Sequence, residues 1–360
     1  MPTTKTSSAP IRTGIIGFGL SGRVFHAPFI ATNPAFRLDL ISTSDPDRAA
    51  EAKRQHPGAE IVDSADDLLA RAADLDLVIL ASPAHTHLDQ GLAAFEAGSH
   101  IVIDKPFVPS VIDGKKLIAK AEETGLTLSV FQNRRFDGDF LTVKKLIAEG
   151  ALGDIHRFES TFERWGSPRL DRWQGMVDPG QGGGITFDLG SHLIDQVLHL
   201  FGPATVEHAE LRQVHEGTVS DDDAFISLLH ASGVSSHLTM SRAAAQSGPR
   251  FRVIGSTSGY SVYGLDGQES ALKEERWPGS EGYGITPEAE WGLVGIDGSP
   301  EGLTRVPTEM GAYPDFYAGV AAAIRDGAPT PVDPKDALEV VRIIERAHAI
   351  SAAIALAGAL

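Results

Sequence analysis

Residues 14–30, GIIGFGLSGRVFHAPFI, set three glycines between an apolar run and the start of a helix. Gly17, Gly19 and Gly22 stand at G-x-G-x-x-G spacing. The first glycine of such a turn permits the sharp change of direction. The second lets backbone approach a pyrophosphate, and the third lets helix pack closely on strand. The helix N-terminus then offers unpaired N–H donors and a positive dipole end to an anion. The spacing alone is a weak signal, and its context carries the weight: Ile11 to Ile16 reads as a buried strand and Ser21 to Ala31 as a helix. The reading therefore expects a dinucleotide's phosphates at Gly17, Phe18, Gly19, Leu20, Ser21 and Gly22.

Strand and helix signals continue to alternate up to residue 131. Phe36 to Thr43, Glu60 to Val62, Leu75 to Ala81, His100 to Ile103 and Leu126 to Phe131 are apolar runs. Helix-forming segments lie between them: DPDRAAEAKRQ, SADDLLA, SPAHTHLDQGLAAFEAG closed by Gly98, and Ser110 to Glu123. Units of this length predict a parallel, doubly wound α/β sheet with right-handed crossovers, whose ligands bind beyond the carboxyl ends of the strands. Ser82, Pro83, His85 and His87 follow the fourth strand, and Asp104, Lys105 and Pro106 the fifth. The two histidines read first as helix-entry residues with one satisfied by backbone. A lone turn lysine is ordinarily just solvated, but Lys105, between a buried strand and a proline at the ligand edge, is a candidate for chemistry.

A chain of 360 residues is natural for two domains, here 1–131 and 132–360. Its 48 acidic against 31 basic residues give a formal charge of -17, which argues against a nucleic-acid or anionic-membrane surface. The absence of cysteine removes disulfides, thiolate nucleophiles and Cys-based metal sites, and fits a cytoplasmic protein. MPTTKTSSAP lacks the apolar core of a secretory signal and reads as a short flexible leader, and no run is long enough to span a bilayer.

From Asn133 the pattern changes. After a helix at Phe140 to Glu149 come alternating strands at Ile155 to Phe162, Thr205 to Val214, Ala224 to His230 and Ser235 to Ser241. They predict a large, mostly antiparallel open sheet with helices on one face, an α+β domain. The segment GGGITFDLGSHLIDQVLHLF supplies a helix from Gly184 to Leu200, with Asp188 and His192 at i and i+4 on one face and Asp195 a turn further. A structural Asp–His hydrogen bond, a metal site completed by Asp195 or His199 and a distant ligand, and general acid–base work are the alternatives. Ser261 to Met310 shows no sustained period and is expected to wrap the second domain or reach a neighbouring subunit. Two helices, Asp315 to Arg325 and Pro334 to Ala355, close the chain. An open sheet with an uncovered apolar face further predicts association with a second copy.

GFGLSGRVFHAPFI, SPAHTH, DKPF, NRRFDGDFLTVKKLI, GGGITFDLGSHLIDQ, YGLDGQE and YPDFYAGVAAAI together closely resemble the glucose-fructose oxidoreductase and inositol dehydrogenase family over nearly the whole length. LSGRVFHAPF and YGLDGQE are most similar to its branch of NADP-dependent scyllo-inositol dehydrogenases. The resemblance implies an N-terminal Rossmann domain, a nicotinamide between the two domains, and hydride transfer at a secondary hydroxyl of a cyclitol or sugar. It carries the family's catalytic Lys, Asp and His onto Lys105, Asp188 and His192, all three also touching the polyol, with Arg134 as a further hydroxyl donor. Ser82, Pro83, His87, Asp104 and Lys105 join the cofactor-binding set, no metal is implied, and a homodimer or homotetramer is. Two departures stand out. The family's acidic residue before Lys-Pro is Asp104, one methylene shorter than the usual Glu. At the end of the second strand, where an NAD enzyme places Asp or Glu on the ribose, this chain has Ser42, Thr43 and Ser44. Small hydroxyls accept a 2′-phosphate that a carboxylate would repel, and Arg48 or Arg23 can pair with it, so NADP is expected over NAD, with Asp45 as the residue that could reverse the preference.

Overall fold

The apolar run ahead of the glycine turn becomes β1 (Ile11–Ile16), the inner strand of an all-parallel sheet. Its companions are β2 (Phe36–Ser42), β3 (Glu60–Val62), β4 (Leu77–Leu80), β5 (His100–Asp104) and β6 (Leu128–Phe131). Their order, β3-β2-β1-β4-β5-β6, is that of a Rossmann fold, and it reverses between β1 and β4, where such sheets open a crevice for ligands. Every residue of β4 is buried, as a strand with helices on both faces requires. The structure is a computed structural model that describes residues 9–166 and 173–358, so the first eight residues of the expected leader, MPTTKTSSAP, lie outside the described residues.

Cap residues start the intervening helices. Asp45, Ser64 and Ser110 accept backbone N–H bonds at the heads of Pro46–Gln55, Ala65–Leu69 and Val111–Thr124. The helix after the glycine turn differs from expectation in its first part. Ser21–His26 is a wide π-helical turn, with the Ala27 N–H reaching back to Gly22, and only Ala27–Thr32 is α-helical. Pro28, which has no N–H to donate, sits just past the change of winding, and wide turns of this kind recur at functional sites.

The chain divides into two units, and the division is not a single cut. The first unit takes the described part of Met1–Asn133 together with Gln268–Tyr283 and Ala312–Ala337. These late segments dock on it by specific contacts. Glu275 pairs with Arg54, Trp277 stacks on His56 at 5.5 Å, and the Tyr317 ring stacks on Phe29 at 6.1 Å. His56 is packed between Trp277 and Phe18, and burial pushes its imidazole down to about 4. The unfolded chain takes up this proton near pH 6.5, so the folded state should lose stability as pH falls from there towards 4. His56→Phe keeps the ring packing and removes the titration. Its Tm should therefore fall less than the parent's on acidification, and parallel Tm–pH curves would assign the acid sensitivity elsewhere.

The second unit holds Arg134–Gly267, Gly284–Gly311 and the described part of Leu338–Leu360. Its strands are β7 (Ile155–Glu163), β8 (Ala204–Arg212), β9 (Asp223–His230), β10 (Ser235–Ser241), β11 (Phe251–Gly255), β12 (Gly259–Val262), β13 (Leu293–Gly295) and β14 (Leu303–Arg305). They form an eight-stranded sheet in the order β14-β13-β12-β11-β7-β10-β9-β8, antiparallel except for the β10–β7 pair. Phe158, Phe162, Ile226, Leu228, Leu238 and Met240 point into the core beneath the helices.

Two expectations need correction. The opposite face of this sheet carries Arg157, Glu159, Thr161, His237, Thr239 and Arg252 beside Phe225 and Leu229, so it is mixed in character rather than apolar. The stretch from Ser261 to Met310 is also not an unstructured wrap. It contains the helix Gln268–Lys273 and the strands β13 and β14, each only three residues long and held by strand pairing, which leaves no sequence period to read. Among the described residues, no helix is long and apolar enough to cross a membrane.

Candidate active site

In the first unit the expected cofactor residues gather along the carboxyl ends of β1, β2, β4 and β5. Gly17 has φ 93°, and a Cβ there would meet the Ala81 carbonyl at 2.8 Å. A Cβ on Gly22 would stand 2.0 Å from the Gly17 carbonyl. Both positions therefore require glycine. Gly19 is different: its Cβ would meet only the Arg48 guanidinium, at 3.7 Å, so the glycine keeps open a space that a cation borders. This is the cradle an anionic pyrophosphate needs, and the residues present fit a dinucleotide.

Ser42 and Thr43 are buried at the end of β2, and the Ser42 carbonyl accepts the Gly17 N–H at 3.1 Å, tying β2 to the turn. Ser44 is exposed. Asp45, the residue named above as able to reverse the cofactor preference, is turned onto its own helix: Oδ1 accepts the N–H groups of Asp47 and Arg48 at 3.0 and 3.1 Å, and Oδ2 lies 3.4 Å from Arg48 Nε.

Beyond β4, the Ser82 hydroxyl donates to Gln90 at 2.6 Å and accepts from Thr86 at 3.0 Å. His85 is exposed. His87, expected among the cofactor contacts, is buried with Nδ1 facing the Phe107 carbonyl and Nε2 facing the Ser82 carbonyl, both at 2.9 Å. A neutral imidazole carries one N–H, so His87 donates to only one of these carbonyls, and its buried ring lies between the loop after β4 and the loop after β5. Burial pushes its imidazole below the ordinary range, against the pull of the two carbonyls.

Asp104 ends β5 and Lys105 follows it, joined to Pro106 by a cis peptide bond. The Ser21 hydroxyl donates to Asp104 Oδ2 at 2.6 Å, and His26 Nε2 lies 3.5 Å from Oδ1. Burial would raise the Asp104 carboxyl, but His26, Lys105 and Ser21 together hold it below its ordinary value.

In the second unit the expected helix again begins with a wide turn, Thr186–Gly190, and continues as the α-helix Ser191–Phe201. Asp188 lies in the wide turn and His192 in the first turn of the α-helix. The buried Asp221 carboxylate accepts from both the N–H and the hydroxyl of Thr186, and Gly184 at φ 98° allows the approach. A Cβ on Gly190 would meet Met240 Sδ at 3.0 Å, so a small residue lets this turn lie against β10.

Asp188 faces Arg242 of β10's end, with Nη2–Oδ2 3.8 Å. Arg242 was not among the expected residues. It follows an ordinary alternating strand far along the chain and has no local motif to mark it. Gly184, Ile185, Asp188, Ser220, Asp221 and Arg242 line a pocket beside the helix. His192 is buried. Asp195, one of the alternative metal ligands, is instead held by Arg135 through two hydrogen bonds of 2.7 Å. Among the described residues no cluster of three or more His, Cys, Asp or Glu is arranged to hold a metal ion.

Arg134 is buried over the Phe162 ring at 5.5 Å, with Nη1 3.4 Å from Asp137. Gln196 holds its backbone carbonyl at 2.8 Å and accepts from Arg250 at 2.7 Å. The helix that carries His192 thus also fixes the Arg134–Arg135 segment, through side chains one turn further on.

Residues 11–132 match the model of an oxidoreductase family with an NAD-binding Rossmann fold, and residues 140–261 match the GFO/IDH/MocA C-terminal domain. The scyllo-inositol 2-dehydrogenase (NADP(+)) IolW of Bacillus subtilis is 36% identical over 94% of this chain and 92% of its own. The oxidoreductase YdgJ of Escherichia coli is 39% identical over 93% and 94%. The solved structure of yvaA from Bacillus subtilis superposes with a TM-score of 0.88 at 35% identity, covering 96% of this chain and 97% of that one.

Proposed function

Since the chain belongs to the GFO/IDH/MocA family of oxidoreductases with an NAD-binding Rossmann domain, we propose that it is a dehydrogenase oxidising a secondary hydroxyl of an inositol, with NADP as its cofactor. Similarity to a scyllo-inositol 2-dehydrogenase along 94% of the chain is the observation that carries the substrate class. When bound, the nicotinamide supplies the hydride acceptor, or the donor in the reverse direction. In this reading His192 removes the hydroxyl proton. Asp188 orients the imidazole and stabilises its charged form, with the Arg242 guanidinium 3.8 Å from its carboxylate. Lys105 hydrogen-bonds the reacting oxygen and favours the developing alkoxide, and Arg134 donates to a neighbouring hydroxyl.

The preference for NADP rests on the end of β2. With Asp45 committed to its helix and to Arg48, no carboxylate is set there to bind ribose hydroxyls, while exposed Ser44 and the Arg48 guanidinium suit a 2′-phosphate. Ser44→Asp should reduce the kcat/KM ratio of NADP over NAD by about tenfold or more, since a like charge against the 2′-phosphate costs on the order of a few kcal/mol. An unchanged ratio would remove Ser44 from the discriminating position.

We further propose a homodimer or homotetramer formed through the mixed face of the second unit's sheet, where Phe225 and Leu229 supply apolar contact and Arg157, Glu159 and Arg252 its charged surround. Light scattering on the purified protein tests it, and a monomer at micromolar concentration would end it.

The decisive assay is the initial rate of nicotinamide reduction with scyllo-inositol, myo-inositol and common aldoses, each with NADP and with NAD. Fast turnover of an inositol with NADP is expected. Turnover confined to an aldose would reassign the substrate while keeping the reaction class.

A further inference from the structure

Phe18 stands between Gly17 and Gly19, and backbone flanked by glycine has little preference of its own for the one shape in which its N–H groups converge on an anion. The side chain supplies the anchor, because the Phe18 ring is buried. It meets the His56 ring edge to face, with centroids 6.0 Å apart and planes at 88°. His56 Nε2 is buried with no hydrogen-bond partner among the described residues, so aromatic contact locates this imidazole. Trp277 supplies the other contact, lying within 11° of parallel to His56 at 5.5 Å. The three rings run from a segment that returns late in the chain to the middle of the glycine turn, all within the first unit.

The returning segment is fastened just before Trp277. Its helix, Gln268–Lys273, ends with the Glu275 N–H on the Leu272 carbonyl at 3.1 Å and the Arg276 N–H on the Ala271 carbonyl at 2.9 Å. This ending puts Glu275 in the left-handed region, φ 58°, where glycine is usual. Among the described residues it is the only one other than glycine with a positive φ. Its carboxylate accounts for the exception. It pairs with Arg54 and accepts from Gln55 Nε2 at 3.2 Å, at the end of the helix that leads into His56. Backbone strain is thus borne where the segment is pinned beside the ring stack.

We propose that Trp277 is a positioning residue for the dinucleotide: through His56 and Phe18 it holds the glycine turn in its anion-binding shape before the cofactor arrives. The inference rests on the reading of Gly17–Gly22 as a dinucleotide cradle. Donors ordered in advance spare the nucleotide the cost of ordering them, so loosening the stack weakens binding. The turn meets the pyrophosphate common to NADP and NAD, so both lose affinity alike and the preference between them is untouched.

The test compares Trp277→Ala, Trp277→Leu and Trp277→Phe with the parent, using two readouts on the full chain. NADPH and NADH binding is titrated by nicotinamide fluorescence. Amide exchange in nucleotide-free protein is followed by mass spectrometry over Gly17–Arg23, whose end N–H groups are bonded to the Ser42 and Gly19 carbonyls. Trp277→Ala should raise Kd for both nucleotides at least fivefold, with their ratio within twofold of the parent's. Exchange over Gly17–Arg23 should quicken at least fivefold while β5 keeps the parental rate. Trp277→Phe, which restores a ring, should return both readouts to within twofold. Parental Kd or parental exchange in Trp277→Ala, even with a lowered Tm, overturns the positioning role, as does a loss that Phe does not rescue. Trp277→Leu, which keeps apolar volume without a ring, decides it by the same criteria if the alanine variant does not fold. A parent that binds neither nucleotide would instead overturn the reading of the cradle, whatever the exchange shows.

Discussion

Replacing His192 with alanine should lower kcat by about two to four orders of magnitude, the range by which a positioned general base accelerates proton transfer. The affinity for NADPH, read from nicotinamide fluorescence, should stay within about twofold, because the imidazole acts on the substrate's proton and not on the nucleotide. The basis is local: His192 is buried in the first turn of Ser191–Phe201, a helix whose preceding wide turn carries Asp188 and is fastened by Asp221. Asp188→Asn keeps the shape and removes the charge. It should cost less than His192→Ala, since the carboxylate's part is to orient the ring and stabilise its charged form. Equal losses in kcat and nucleotide affinity for His192→Ala would identify a structural histidine and end its assignment as base.

Asp195→Ala should strongly destabilise the second unit. Its two oxygens accept two hydrogen bonds of 2.7 Å from the Arg135 guanidinium, and both side chains are buried. Removing the carboxylate takes two charge-assisted hydrogen bonds from a buried cation, and breaking a buried ion pair by deleting one partner typically costs about 3–5 kcal/mol. For a unit of this size the melting temperature should fall by roughly 10 °C. The double change Asp195→Leu with Arg135→Met should recover most of the loss, because replacing both members of a buried ion pair by apolar side chains is often near neutral. A single variant melting within two degrees of the parent would show that water or another group reaches Arg135. The same experiment bears on activity: Asp195 and Gln196 tie the Arg134–Arg135 segment to the helix that carries His192, so a loosened pair should also raise KM for the polyol.

How far the site was legible depends on how locally each residue's role is decided. Gly17 and Gly22 are required by contacts with backbone only a few residues away or on the next strand, so their spacing, read with the strand before and the helix after it, announced them. Asp188 and His192 were recognisable from family motifs, yet the wide turn between them was not, because an apolar pattern cannot distinguish one extra residue per turn from ordinary helix. A histidine at a ligand-facing strand end invites a binding role, and only the fold shows that the buried His87 ring faces the carbonyls of Ser82 and Phe107, one of them in another loop. Arg242 and Tyr317 carried no signal of their partners, since Asp188 and His26 are distant in sequence.

By itself the sequence determined the parallel first sheet and its crevice, because strand burial, helix caps and the glycine turn are decided over short stretches of chain by sterics and backbone hydrogen bonding. It likewise determined that β2 would end in small hydroxyls with no acid among Ser42, Thr43 and Ser44. Tertiary structure alone decided that Asp45 would be spent on its own helix and on Arg48. It also decided that Gln268–Tyr283 and Ala312–Ala337 would return to the first unit, and that Tyr317, which the second of them carries, would bond to His26. The physical reason is the same in each case: a buried polar group must find a partner wherever packing supplies one, and packing joins segments that no period or spacing relates.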